Sequence, residues 1–365
     1  MGVGIALAKA GRERRSTGQR RRERPLGLEP DERLAFGLRR MALGQVDLAL
    51  ELLAHADTSA PDEHAVHETR KALKRLRALV RLLEGELGAK ALARENAALR
   101  ETARHLAGAR DAAVMLGTLD QLLERHPRKL ERRKGVIELR RRLLAERALM
   151  EQQTLRDPAV LAQVLGELCA FRERVAAWSL PDRDGIELLE PGLAKLYRQG
   201  RRRYRRVARG KADLVLAMHE WRKRVKDLRY AAEMLERHYP SEGAGAPGRK
   251  RRGKRPARKR AKRRRDAACV RRVARRADEL GEVLGEDHDL AVLAQAIRAR
   301  GKRGGAVTGR IPRGTRKTLL KLIARRRREL HARALREGER LYERSPRRFI
   351  AGIRAAYASG ERQLS

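Results

Sequence analysis

Two short segments concentrate residues able to do chemistry. Residues 66–79, VHETRKALKRLRAL, and 218–231, MHEWRKRVKDLRYA, align at an offset of 152 and agree at seven of fourteen positions. The chemically pointed pairs are His67/His219, Arg70/Arg222, Lys71/Lys223, Lys74/Lys226 and Arg77/Arg229. With His as origin, the cations fall at +3, +4, +7 and +10, and on an α-helix these five side chains share an arc of roughly 120°. No acid occupies any of the five positions in either copy, and Glu68 and Glu220 sit to one side. A solvated helix face usually mixes signs, because like charges at i,i+3 and i,i+4 cost roughly 0.2–0.5 kcal/mol per pair. Carrying that cost twice at one spacing argues for an anion that offsets it. Arg grips phosphate oxygens with a two-pronged fork, Lys acts as a mobile point charge and His donates a ring N–H. The chemistry is recognition of a polyanion.

The elements that position these residues are helices. Opposite each basic stripe lies an apolar one, Leu73, Leu76, Val80 and Leu83 in the first copy and Val225, Leu228, Ala232 and Leu235 in the second. Helix-forming Leu, Ala, Arg and Glu dominate, and the alternation expected of strands is missing. The pattern predicts helices over 31–56, 61–85, 88–106, 109–125, 128–150 and 157–177, then 189–209, 211–238, 267–285, 287–300, 313–339 and 346–358. Pro and Gly mark the breaks. The expected organisation is a basic disordered tail over 1–30, a first helical bundle over 31–178, a linker over 179–188, a second bundle over 189–358 and a short tail over 359–365. Residues 241–266 combine Gly, Pro and a dense Lys/Arg block, and are expected to be a disordered, solvated insertion in the second bundle.

Charge bounds the partners. The chain of 365 residues carries 89 Lys/Arg against 47 Asp/Glu, a formal net charge of +42. Such a surface attracts polyanions, nucleic acid at low salt included. Only 3% of residues are aromatic, so few rings could stack on bases. Cys169 and Cys269 cannot build a disulfide framework and read as small buried hydrophobes. Trp178 and Trp221 read as core or interface residues rather than base-stacking platforms. No run of about 18 apolar residues occurs and no targeting signal is apparent, so a cytoplasmic protein without membrane contact is expected.

The two His segments resemble the signature helices of the CHAD family, the conserved-histidine α-helical domain. Downstream, LAGARDAAVML (106–116) and LGEDHDLAVLAQ (284–295) resemble the second motif of that family, with Arg110-Asp111 and His288-Asp289 as counterparts. His-to-Asp spacing is 44 in copy one and 70 in copy two, and the excess of 26 equals the length of the insertion. A weaker match pairs Gly37, Arg39 and Arg40 with Gly200, Arg202 and Arg203. Asp227 departs from the pattern, standing where copy one has Arg75. The resemblance covers about 31–358. It implies an all-α fold of two pseudo-symmetric antiparallel bundles around a basic groove or pore that holds inorganic polyphosphate, and association with polyphosphate granules. The ten stripe residues are the implied binding set, with Arg39, Arg40, Arg110, Arg202, Arg203 and His288 as secondary candidates.

Catalytic and cofactor motifs fit poorly. HExxH zinc chemistry needs a second His where Lys71 and Lys223 stand, and a cation there repels a metal. Asp287 and Asp289 read as groups that orient basic residues. GAGAPG (243–248) lacks a preceding strand, and GRIPRGTRKT (309–318) lacks the Lys-Ser/Thr of a phosphate loop. The expectation is a non-enzymatic polyphosphate binder with no cofactor and no metal. Two alternatives stay open: an RNA/DNA-binding protein acting through the tail and the insertion, and an accessory subunit of a polyphosphate-metabolising enzyme.

Overall fold

The computed structural model describes residues 26–29, 32–54, 63–106, 108–155, 157–181, 185–210, 213–236, 257–299 and 311–361. Among them are twelve α-helices and no strand. The first half holds α1 (Leu34–Ala54), α2 (Glu63–Leu82), α3 (Glu84–His105), α4 (Gly108–Arg125), α5 (Pro127–Leu130), α6 (Lys134–Leu155) and α7 (Pro158–Ala176). The second holds a 3-10 turn (Ile186–Leu188), α8 (Glu190–Ala208), α9 (Leu214–Met234), α10 (Ala257–Arg298), α11 (Arg313–Leu341) and α12 (Pro346–Glu361).

Local chemistry sets several boundaries. Asp157 caps α7 by accepting the N–H of Ala159 at 2.9 Å, and Pro158 follows at the first helical position. Asp213 caps α9, accepting from Val215 and Leu216. Gly88 takes a φ of +72° inside α3, so the expected break is a kink rather than an end.

The apolar stripes opposite the basic ones are buried. Leu73, Leu76, Val80, Leu83, Val225 and Leu228 have no solvent exposure, and each such side chain contributes roughly 1.5–3 kcal/mol of burial free energy. Helices α1, α2, α3 and α7 pack together, as do α8 to α12. The halves meet through α2 on α9 and α4 on α10, which are the helices carrying the two repeated motifs. Helix α8 also rests on α2, where a methyl added at Gly192 would meet the carbonyl oxygen of Leu82. Trp221 is fully buried and packs on Tyr204, with ring centroids 5.5 Å apart.

Several expectations need correction. The segments 267–285 and 287–300 form one helix, α10, because Leu280, Val283, Leu284 and Leu290 bury a continuous face and one Gly at 285 does not interrupt it. That helix begins at Ala257, so the last ten residues of the expected disordered insertion are helical; residues 241–256 lie outside the described residues. The expected tail 1–30 ends inside the core, where Leu28 is fully buried and its N–H donates to the Glu236 carbonyl at 3.2 Å. Residues 1–25 lie outside the described residues. The linker 179–188 closes on a buried turn, with Ile186 and Leu188 in the core. The expected tail from 359 is still helix as far as Glu361. Cys169 is exposed on α7 rather than buried, because it lies off the face formed by Val164, Leu168, Phe171 and Val175.

Candidate functional site

A cleft of about 740 Å³ opens where α2, α4, α9, α10 and α11 converge. Copy one supplies His67, Lys71 and Lys74; copy two supplies Arg222, Lys226 and Arg229. Six of the ten stripe residues, from segments 152 positions apart, therefore share one space.

The two helices present different edges of the same stripe. Copy one turns positions 0, +4 and +7 into the cleft, whereas copy two turns +3, +7 and +10. Two packed helices that border one cleft can each show it only the flank turned toward that side. Position +7 is common to both, so Lys74 and Lys226 are the pair that both stripes contribute.

The four remaining stripe residues lie elsewhere. Arg70 donates to the carbonyl oxygens of Leu106 at 2.5 Å and Ala103 at 3.2 Å, closing the C-terminal end of α3. Arg77 faces Arg81, Asp227, Arg224 and Arg100, and burial together with Arg81 lowers its pKa. Lys223 pairs with Glu220 at 2.7 Å, which holds that carboxyl below the usual range. The Nδ1 of His219 lies 3.2 Å from that of His288. Burial, then Lys223 and Arg222, push His219 down. Burial, then Arg222 and His219, push His288 down to about 4.

The secondary candidates are outside the cleft lining. Arg40 is held by Glu32, with Nη2 to Oε2 at 2.6 Å, and by the Gly27 carbonyl at 2.9 Å. Arg39 donates to the Trp178 carbonyl oxygen. Arg202 is exposed on α8, and Arg203 lies 3.9 Å from Glu220. The side chain of Arg110 falls outside the described residues. Asp287 is almost wholly buried and accepts from Arg327 at 2.8 Å and, when the ring N–H points that way, from His331 at 2.8 Å. Burial raises its pKa, but the bonds from His331 and Arg327 outweigh that and hold it down.

Sequence reasoning missed two cations and two acids, Glu282 and Glu286, while Asp289 reaches the cleft as a residue the sequence had placed beside basic groups. Arg125 arrives from α4, with Gly117, Thr118 and Gln121 on the same face, and Arg333 arrives from α11. The α4 row was legible as a polar stripe opposite Leu116, Leu119 and Leu122. Helix α10 brings Glu282, Glu286 and Asp289, so among the described residues seven Lys/Arg face three carboxylates. No group of three or more His, Cys, Asp or Glu able to hold a metal ion occurs among the described residues. No helix there is long and apolar enough to cross a membrane.

The cleft can neutralise a chain of negative charge from two walls while offering it little to stack on. The exposed ring among the described residues, Phe36, lies outside it, and Tyr230 at its edge is almost wholly buried. Nothing among curated proteins matches the chain. The CHAD domain profile matches residues 45–249, a span that includes α2 and α9 entire. With both signature helices inside the matched span and more than half of the chain covered, the protein belongs to the CHAD domain family.

Proposed function

We propose that this protein binds inorganic polyphosphate without turning it over, and does so at polyphosphate granules. The observation that carries this is the convergence of Lys74 and Lys226, one register position in two repeats, on a single cation-rich cleft. Polyphosphate is a flexible line of charge with neither base nor sugar. A cleft poor in exposed rings and rich in Lys and Arg fits such a ligand better than it fits RNA, whose affinity gains from stacking.

The test is filter retention of long-chain polyphosphate. Lys74→Glu with Lys226→Glu should abolish retention at physiological salt while leaving helicity intact by circular dichroism. Unchanged retention would remove the cleft from the account. Assays of phosphate release with Mg²⁺ and Mn²⁺ address turnover, and sustained release by the pure protein would overturn the non-enzymatic role. Long-chain polyphosphate should displace RNA at physiological salt, and the reverse outcome would favour a nucleic-acid function. A fluorescent fusion should colocalise with stained granules, and a diffuse signal in granule-bearing cells would argue against that placement.

A further inference from the structure

Helix α10 carries an acidic row that matches the basic stripes in length. Asp278, Glu282, Glu286 and Asp289 lie at 0, +4, +8 and +11, an arc of about 80° on the helix. The row spans eleven residues and each basic stripe ten, so at ~1.5 Å per residue both run about 15 Å. Three of the four acids line the cleft.

These carboxylates pair with two of the seven cleft cations, Arg125 and Arg229, the latter also bound by Glu233 of its own helix at 2.7 Å. Arg229 pairs with Asp278 and lies 3.9 Å from Glu282. Glu286 accepts two bonds from Arg326, at 2.7 and 2.8 Å, and pairs with Arg125 at 3.2 Å. Hydrogen bonding to Glu286 raises the Arg326 pKa accordingly. Arg125 and Arg229 both line the cleft.

We propose that the α10 acidic row is a built-in competitor that occupies two of the cleft cations, Arg125 and Arg229, and restricts the site to long linear polyanions. A short anion offers few charges and must break ion pairs whose members are already held in place by the fold. A long chain replaces the whole row at once, and each further phosphate is added at the high effective concentration of a tethered group. Length selection then arises from competition and requires no pocket that measures the ligand. Because the competitor acts at the polyphosphate cleft, it rests on the function proposed above.

The experiment compares the unaltered chain with Glu282→Gln, with Glu282→Gln/Glu286→Gln, and with Glu173→Gln as a control for net charge. Glu173 is exposed on α7, away from the cleft lining. Glu282 is also exposed, so its substitution carries little folding risk if the double variant is unstable. Fluorescence titrations use tripolyphosphate and a long-chain polyphosphate. The double variant should bind tripolyphosphate about three- to tenfold more tightly, the scale of a few partly exposed ion pairs that no longer need breaking. Its preference for the long chain should shrink by a similar factor, Glu282→Gln should shift part of the way, and Glu173→Gln should leave the preference unchanged. Unaltered or weakened tripolyphosphate binding in the cleft variants overturns the competitor, as does an equal effect from Glu173→Gln. Weakening confined to Mg²⁺-containing buffer overturns it in favour of carboxylates that share a cation with phosphate. Absence of any polyphosphate binding by the unaltered chain overturns the proposed function as well, which separates the two failures.

Discussion

Asp227 of α9 accepts a hydrogen bond from Arg81 of α2 at 2.5 Å, joining the two signature helices across 146 residues of sequence. The same carboxylate pairs with Arg224 at 3.1 Å and faces Arg77. Asp227 stands where the repeat calls for a cation, and its place between the halves explains the exception. Three arginines converge there and one buried acid balances them. Asp227→Ala should lower stability by about 2–4 kcal/mol, because it strands partly buried cations. Urea denaturation checks this, and a loss under about 0.5 kcal/mol, the ordinary scatter of surface substitutions, would show that the acid is not a clamp.

The facing Nδ1 atoms of His219 and His288 make stability depend on pH. Their folded pKa values are lowered, to about 4 for His288, against about 6.5 unfolded. Between those values the unfolded chain binds more protons, so this contribution is full above about pH 6.5 and is lost as pH falls toward 4. Discounted for partial exposure, it amounts to about 1 kcal/mol from His288. Thermal melts from pH 7.5 to 4.5 should show the loss, and His288→Gln should flatten it. A slope identical in that variant would assign the loss to other groups.

Polyanion binding should shift the same pair in the opposite direction. Arg222 and Lys226 line the cleft and, with Lys223, depress the pair, while Glu220 and Asp287 favour protonation weakly. A bound polyphosphate counters the field of the cations, so binding takes up protons and tightens as pH falls from 7 toward 5. Calorimetry in two buffers of different ionisation enthalpy measures the uptake directly. Zero uptake at pH 6 would uncouple the pair from the cleft.

Salt dependence reports how many cations engage. Seven Lys/Arg line the cleft, so at ~0.7 per contact log affinity should fall against log salt with a slope of about −5. Lys226→Glu should flatten that slope more than Lys223→Glu, because Lys223 is already paired with Glu220 and stands off the lining. Equal effects from the two substitutions would indicate binding by net charge alone.

Long-chain polyphosphate at about 100 times its Kd should stabilise the fold by about 2.7 kcal/mol, and orthophosphate should do far less. Chemical denaturation with each ligand separates an extended multi-cation site from simple phosphate affinity. Matched shifts from both would argue against the former.

The helical class, the breaks at Gly108, Pro127 and Pro158, and the pairing of basic and apolar stripes were legible in the chain itself. Helix periodicity is a local property, and a stripe at +3, +4, +7 and +10 reads the same in isolation as in the fold. Direction of use was not legible. Only packing decided that α2 turns Lys71 and Lys74 into the cleft while α9 turns Arg222 and Arg229, since the edge exposed to a shared space depends on which side the neighbouring helix covers. Packing also took Arg70 to the end of α3 and Arg40 to Glu32, because guanidinium groups near orphan carbonyls or carboxylates are drawn to them whatever repeat they belong to. The carboxylates of α10 were visible as letters, yet their arrival opposite the stripes depends on contacts between residues far apart along the chain, which no local spacing encodes.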